Sequence, residues 1–147
     1  MAAGLKAIHE ACAARIEAGV ARDWNVAAFP FSGMPLPLIE VWPGSGDYIA
    51  YWGTFGATGT ADLVLDIRIQ VATGDAETTF IQITDMLSVG TGHTSSVVDA
   101  LMEDKTLGGT VLTLRALSAR WTPDGDDLGS VAVIPVEIVL RKAGAEV

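Results

Sequence analysis

Reactive side chains are scarce in this chain. Cys12 is its only cysteine. One cysteine forms no disulfide framework and no zinc-ligand spacing, so a reducing compartment is the default. His9 and His93 are the only histidines and lie far apart in sequence. No Gly-x-Ser-x-Gly, His-Glu-x-x-His or Walker A pattern is present. A nucleophile–base pair would have to come from Asp or Glu with Ser or Thr, and nothing in the spacing supports one. The expectation is a protein that is not an enzyme and carries no cofactor or metal. Basic residues are also short: nine Lys and Arg stand against eighteen Asp and Glu, for a net charge of −9. Nucleic-acid affinity rests on cations meeting phosphates, so this balance counts against a DNA- or RNA-gripping role. It serves solubility, or a surface that DNA must slide past without sticking.

A long uninterrupted apolar run is missing too. Half of the residues are hydrophobic and mean hydropathy is +0.39. Yet the charge-free span 24–39 is broken by Pro30, Pro35 and Pro37, whereas a membrane-spanning helix needs about 20 consecutive apolar residues. Lys6, Glu10, Arg15 and Glu17 recur at helical intervals near the N-terminus, so no signal peptide and no membrane partner are expected. The apolar surplus reads instead as surface covered in an assembly. At 147 residues the chain is long enough for one domain with a real core.

The clearest element present is the stretch 62–73. Leu63, Leu65, Ile67, Ile69 and Val71 alternate with Asp62, Val64, Asp66, Arg68 and Gln70. That period of two predicts a long strand with one dry face. A helix is expected over 75–88, with Asp75 as N-cap, Glu77 in the first turn, and Phe80, Ile83 and Leu87 as its stripe. Gly90 and Gly92 should end it. Residues 4–22 read as an amphipathic helix with Leu5, Ile8, Cys12, Ile16 and Val20 on one face. Cys12 is then a small buried hydrophobe. His9 reads as a solvated or capping side chain, and His93 as a solvated loop residue.

Short strands are expected over 24–29 and 38–42, with a turn-rich, extended connection over 31–37. Pro43-Gly44-Ser45-Gly46 is a turn, and 47–54 resumes the sheet, so 38–42 and 47–54 could pair as a hairpin. In the latter, Ile49, Tyr51 and Gly53 should share one face, and Tyr48, Ala50 and Trp52 the other. Gly53, Gly56 and Gly59 fall in a loop that precedes a strand, so they are no dinucleotide fingerprint. Trp42, Tyr48, Tyr51, Trp52 and Phe55 crowd this region and suit either core or subunit contacts.

A third helix is expected over 95–105, with capping-box spacing at Ser96 and Asp99 and Lys105 in its last turn. Residues 110–121 and 130–141 should be an antiparallel pair joined by a turn at Pro123-Asp124-Gly125. Ala132, Ile134, Val136, Ile138 and Leu140 face one way in the last strand. Pro135 withholds a donor, which places this strand at an edge or gives it a bulge. Asp124, Asp126 and Gly129 faintly resemble a calcium loop, but Leu128 and Pro135 occupy positions where ligands are required. The fold class is α+β: an antiparallel-rich sheet with two to three helices packed on one face.

The segment Leu101-Met102-Glu103-Asp104-Lys105-Thr106-Leu107-Gly108-Gly109-Thr110-Val111 resembles a stretch found in tail terminator (tail completion) proteins of long-tailed bacteriophages, particularly those of actinobacterial hosts. There a helix ends in an acidic, then Thr-Leu-Gly-Gly segment that feeds a strand. The following strand, polar turn and final strand are similar, as is the Ala-rich first helix. The region 42–55 has no counterpart in the resemblance. The resemblance implies a virion protein, assembled in the host cytoplasm, that closes into a homo-hexameric ring. Such a ring would end polymerisation of the major tail tube protein and join the head–tail connector protein, with DNA passing through its lumen without specific binding. Expected contact residues are Trp42, Trp52 and Phe55, with Pro123, Asp124, Asp126 and Leu128 in a turn for axial docking, alongside the loop from Gly53 to Gly59. The alternatives are another neck or stopper protein, a tail-tube subunit, or a small-ligand-binding domain.

Overall fold

A computed structural model describes residues 4–51, 60–72, 76–89, 96–122 and 130–141. Within them, helix α1 spans Leu5–Gly19, followed by strands β1 (Asn25–Ala27), β2 (Leu38–Pro43), β3 (Ile49–Tyr51) and β4 (Thr60–Val71). Helices α2 (Ala76–Leu87) and α3 (Val97–Met102) come next, then β5 (Thr113–Ala116), β6 (Arg120–Thr122) and β7 (Ser130–Arg141). The strands form one seven-stranded sheet in the order β1-β2-β4-β7-β5, with β3 on β4 and β6 on β7. Every pairing is antiparallel except β1 with β2. The chain is therefore α+β, as its periodicities require.

The spine is β4 against β7, paired in unbroken register from Thr60↔Arg141 to Val71↔Ser130. Burial alternates along both strands, except that Asp66 on the opposite face of β4 is also buried. Leu63, Leu65, Ile67, Ile69 and Val71 on β4 are fully buried, and so are Ala132, Ile134, Val136 and Ile138 on β7. Ile8, Cys12 and Ile16 of α1, Ile83 and Met86 of α2, and Val97 and Leu101 of α3 close over this face and complete one core. The other face carries Asp62, Val64, Asp66, Arg68 and Gln70, and is here called the outer face.

Several expectations are corrected. The strands β2 and β3 do not form a hairpin with each other. Both pair with β4, end to end along one edge: Pro43 opposes Leu65 and Ile49 opposes Leu63. Between them the chain loops outward opposite Val64, whose carbonyl accepts from Gly44 N–H (2.8 Å) and whose N–H donates to Tyr48 C=O (2.9 Å). Gly44 is required there, because a Cβ would stand 2.7 Å from the Val64 carbonyl oxygen. The excursion also defeats simple alternation, since Tyr48 turns to the helix side.

The strand expected over 110–121 is broken into β5 and β6. Its cause is Pro135, which sits not at an edge but inside the sheet. Leu117 N–H donates to Pro135 C=O (2.9 Å), so the side of Pro135 that lacks an N–H faces this partner strand. The register shifts by one across the gap, from Ala116↔Val136 to Arg120↔Val133. The bulge thus falls on the strand opposite the proline.

On α2 the buried stripe is Ile83 with Met86, whereas Phe80 is exposed and lies against Trp121 (ring centroids 5.7 Å apart). Helix α3 stops at Met102, so Lys105 lies beyond it. Its Ser96 cap is as expected, the hydroxyl accepting from Asp99 N–H at 3.3 Å. Asp75, Gly90, Gly92 and His93 lie outside the described residues.

Candidate functional site

A short parallel pair such as β1–β2 obliges the chain to cross back from the end of one strand to the start of the other. Residues 28–37 make that return as an arm without helix or strand, laid over the outer face of β1 and β2. Leu38 and Glu40 are buried on this face, with Glu40 bonded to Ser32 of the arm. The arm also holds four large apolar side chains in solvent: Phe29 is 59% exposed, Phe31 85%, Met34 38% and Leu36 40%.

The arm is pinned along its length. Asn25 donates from its backbone N–H to Pro37 C=O (3.0 Å) and from Nδ2 to Pro35 C=O (2.8 Å). At the crest, the Glu40 carboxylate takes Ser32 N–H (2.8 Å) and Ser32 Oγ–H (2.6 Å) on Oε2. Its Oε1 takes Trp42 Nε1–H (3.0 Å) and Gln70 Nε2–H (2.9 Å). Burial pushes the Glu40 pKa up, but the hydrogen bonds from Ser32, Trp42 and Gln70 prevail and hold it below the ordinary carboxylate value. Phe31 adopts φ 55° and Gly33 φ 75°. A left-handed phenylalanine costs about 1 kcal/mol, and it is maintained here beside the Ser32–Glu40 clamp.

Trp42, the one expected contact residue within the described set, lies at the foot of the arm. Phe31 meets it edge-on at 4.7 Å between centroids, and the Arg68 guanidinium lies over its ring, 4.7 Å from the centroid. Trp52, Phe55, the loop from Gly53 to Gly59, Pro123, Asp124, Asp126 and Leu128 lie outside the described residues.

On the helix side of the arm is a cavity of about 500 Å³, lined by Lys6, His9, Glu10, Ala28, Phe29, Pro30, Pro43 and Tyr48. His9 is not the solvated side chain expected from sequence. Its Nδ1 lies 3.1 Å from Ala28 C=O and its Nε2 2.8 Å from Tyr48 Oη. A carbonyl only accepts, so Nδ1 carries the proton, and in the neutral ring Nε2 accepts from the tyrosine. This chain of bonds ties α1, the root of the arm and the β2–β3 excursion together. Lys6 and Glu10 pair with each other on the rim at 3.4 Å.

The segment Leu101–Val111 ends α3 and enters β5 through a turn built on Asp104. Its carboxylate accepts from Thr106 N–H (3.2 Å), Thr106 Oγ1–H (2.9 Å) and Gly108 N–H (2.7 Å). The Thr106 hydroxyl, then the Gly108 and Thr106 amides, lower the Asp104 pKa. Leu107, Gly108 and Gly109 all have positive φ, which is why two glycines follow the leucine. Arg15 of α1 braces the same end of α3, donating from Nε to Ala100 C=O (3.0 Å) and pairing with Glu103 at 3.1 Å.

Cys12 is fully buried and its thiol pKa is pushed up to about 12 by desolvation, the behaviour of a core residue rather than a nucleophile. Among the described residues no group of His, Cys, Asp and Glu is placed to hold a metal ion, and no helix is long and apolar enough to cross a membrane. Sequence reasoning missed Phe29, Phe31, Glu40, His9 and Tyr48 as a connected set. The one signal was the charge-free span 24–39, whose apolar residues had no periodic place in a core. Compared with protein-family models and with curated proteins, the chain finds no match in either.

Proposed function

We propose that this chain is a structural subunit of a phage virion, a tail terminator that closes into a ring on the end of the tail tube, stops its growth and joins the head connector. The observation that carries the reading is the pinned apolar arm: a charge-free segment that exposes Phe29, Phe31, Met34 and Leu36 on an acidic chain. Isolated exposed apolar residues need no explanation, but four within eight residues of a segment pinned by a buried carboxylate do. The tail-terminator assignment comes from the resemblance over Leu101–Val111. In this chain that segment makes the expected passage from helix end to strand, through the Asp104 turn. In this reading the protein acts by shape and stoichiometry, without catalysis, and its negative charge lets DNA pass the ring unbound.

The test is direct. Purified protein mixed with polymerising tube subunits should shorten and narrow the length distribution of the tubes. An unchanged distribution removes the terminator assignment. The cavity beside His9 supports a second reading, a site for a small apolar ligand. A ligand-dependent rise in thermal midpoint would favour it.

A further inference from the structure

The geometry of the arm points to how copies meet: we propose that Phe31 of one copy seats in the cavity beside His9 and Tyr48 of the next. The proposal rests on the ring-subunit reading above and makes it specific. A chain does not fill its own cavity with this residue, because Phe31 packs edge-on against Trp42 at the outer face, whereas the cavity opens on the helix side against Lys6, His9 and Glu10. Knob and hole therefore lie on opposite sides of the arm. A contact between unlike patches is head-to-tail, and repeated head-to-tail contacts close into rings or run on as filaments.

The walls also fit this occupant. Both His9 nitrogens are already bonded, and Ala28, Phe29, Pro30 and Pro43 offer no side-chain hydrogen-bonding group, so the cavity suits an apolar guest. About 500 Å³ accommodates an aromatic ring and its flanking residues. Knob and hole on one chain make a second copy the occupant complementary to both, and charge leaves that copy free to approach. Each chain carries −9, so copies repel over most of their surface, but residues 24–39 bear no charge and the rim charges of Lys6 and Glu10 cancel. This is a surface across which two acidic copies can approach without like charges meeting.

Thiol cross-linking of the full chain tests the contact, with buried Cys12 as a silent background. Phe31→Cys and Glu10→Cys are placed in one chain, oxidised, and run on a denaturing gel. A ladder of dimers, trimers and higher species is expected. A mixture of the two single variants should give dimers only, and each single variant alone should stay monomeric on the gel. Phe31→Asp should lose the oligomer in light scattering while its far-UV circular dichroism is unchanged. Dimers from Phe31→Cys alone, an oligomer that survives Phe31→Asp, or an oligomer without any Phe31–Glu10 bridge would each overturn the contact, as would a wild-type chain that is monomeric. The tube-length assay judges the function separately. Tubes capped without the bridge leave the terminator reading standing, and bridged rings that leave tube length alone sink that reading instead.

Discussion

Glu40 shows how one side chain can hold an exposed surface in shape. It is 3% exposed, and its four hydrogen-bond donors favour the ionised carboxylate over the neutral acid. Truncating it in Glu40→Ala orphans Trp42 Nε1 and Gln70 Nε2 and frees Ser32, at a cost of about 2 kcal/mol in urea unfolding at pH 7. The pH dependence follows from the lowered pKa. Stability from Glu40 is present above the unfolded carboxylate value, about 4.3, and is lost as pH falls through the lower folded value. The gap between wild type and Glu40→Ala should therefore close in unfolding curves taken at successively lower pH below about 4. Cys12 gives a second check: at pH 8 its thiol should resist iodoacetamide in the folded protein and react promptly in urea. Cys12 was readable from its place on an apolar stripe. Glu40 was not, since nothing in a strand reading of 38–42 says that an arm returns over its outer face. Nor was the bond between His9 and Tyr48, which joins residues distant in sequence.

At the level of elements, the parts that alternate were legible and the parts that interrupt alternation were not. The strands β4 and β7 and helix α1 each carry a repeated period, and burial follows it apart from Asp66 on β4 and Leu5 and Ala13 on α1. The β2–β3 excursion and the β5–β6 break depend on what lies opposite, Val64 in one case and Pro135 in the other. A single strand's sequence does not contain its neighbour. Helix α2 went astray for a similar reason: Phe80 fits the stripe, but Trp121 meets it at the sheet margin while Met86 takes the core. Helix packing supplies a sharp prediction at Gly19. A Cβ there would lie 2.4 Å from Ala100 Cβ and 3.1 Å from Ala100 Cα, so α1 and α3 touch through a glycine. Gly19→Ala would gain up to about 1 kcal/mol in helix propensity, but overpacking costs about 1–3 kcal/mol. The variant should be net destabilised in thermal unfolding, and Ala100→Gly in the same chain should recover part of the loss.

For the whole molecule, the question is whether the arm's apolar surface suffices to hold copies together. Its four exposed side chains amount to about two fully buried ones, roughly 3–6 kcal/mol. Association costs an estimated 4–15 kcal/mol, so one arm contact is marginal by itself. A ring changes the balance, because closure adds a contact without a further loss of translational freedom. A population of closed rings with few open intermediates is the expected state, and dilution should release monomers over a narrow concentration range. Expectations at Trp52, Phe55 and 123–128 lie outside the described residues, so the described surface rests on Trp42 and the arm. The central claim, that the apolar surplus of this acidic chain exists to be covered by copies of itself, is tested most directly by the native mass of the purified protein at micromolar concentration. A single species at a closed-ring multiple of 15.3 kDa, six being the number the resemblance implies, is the predicted result. A species at 15.3 kDa that does not change with concentration would contradict it.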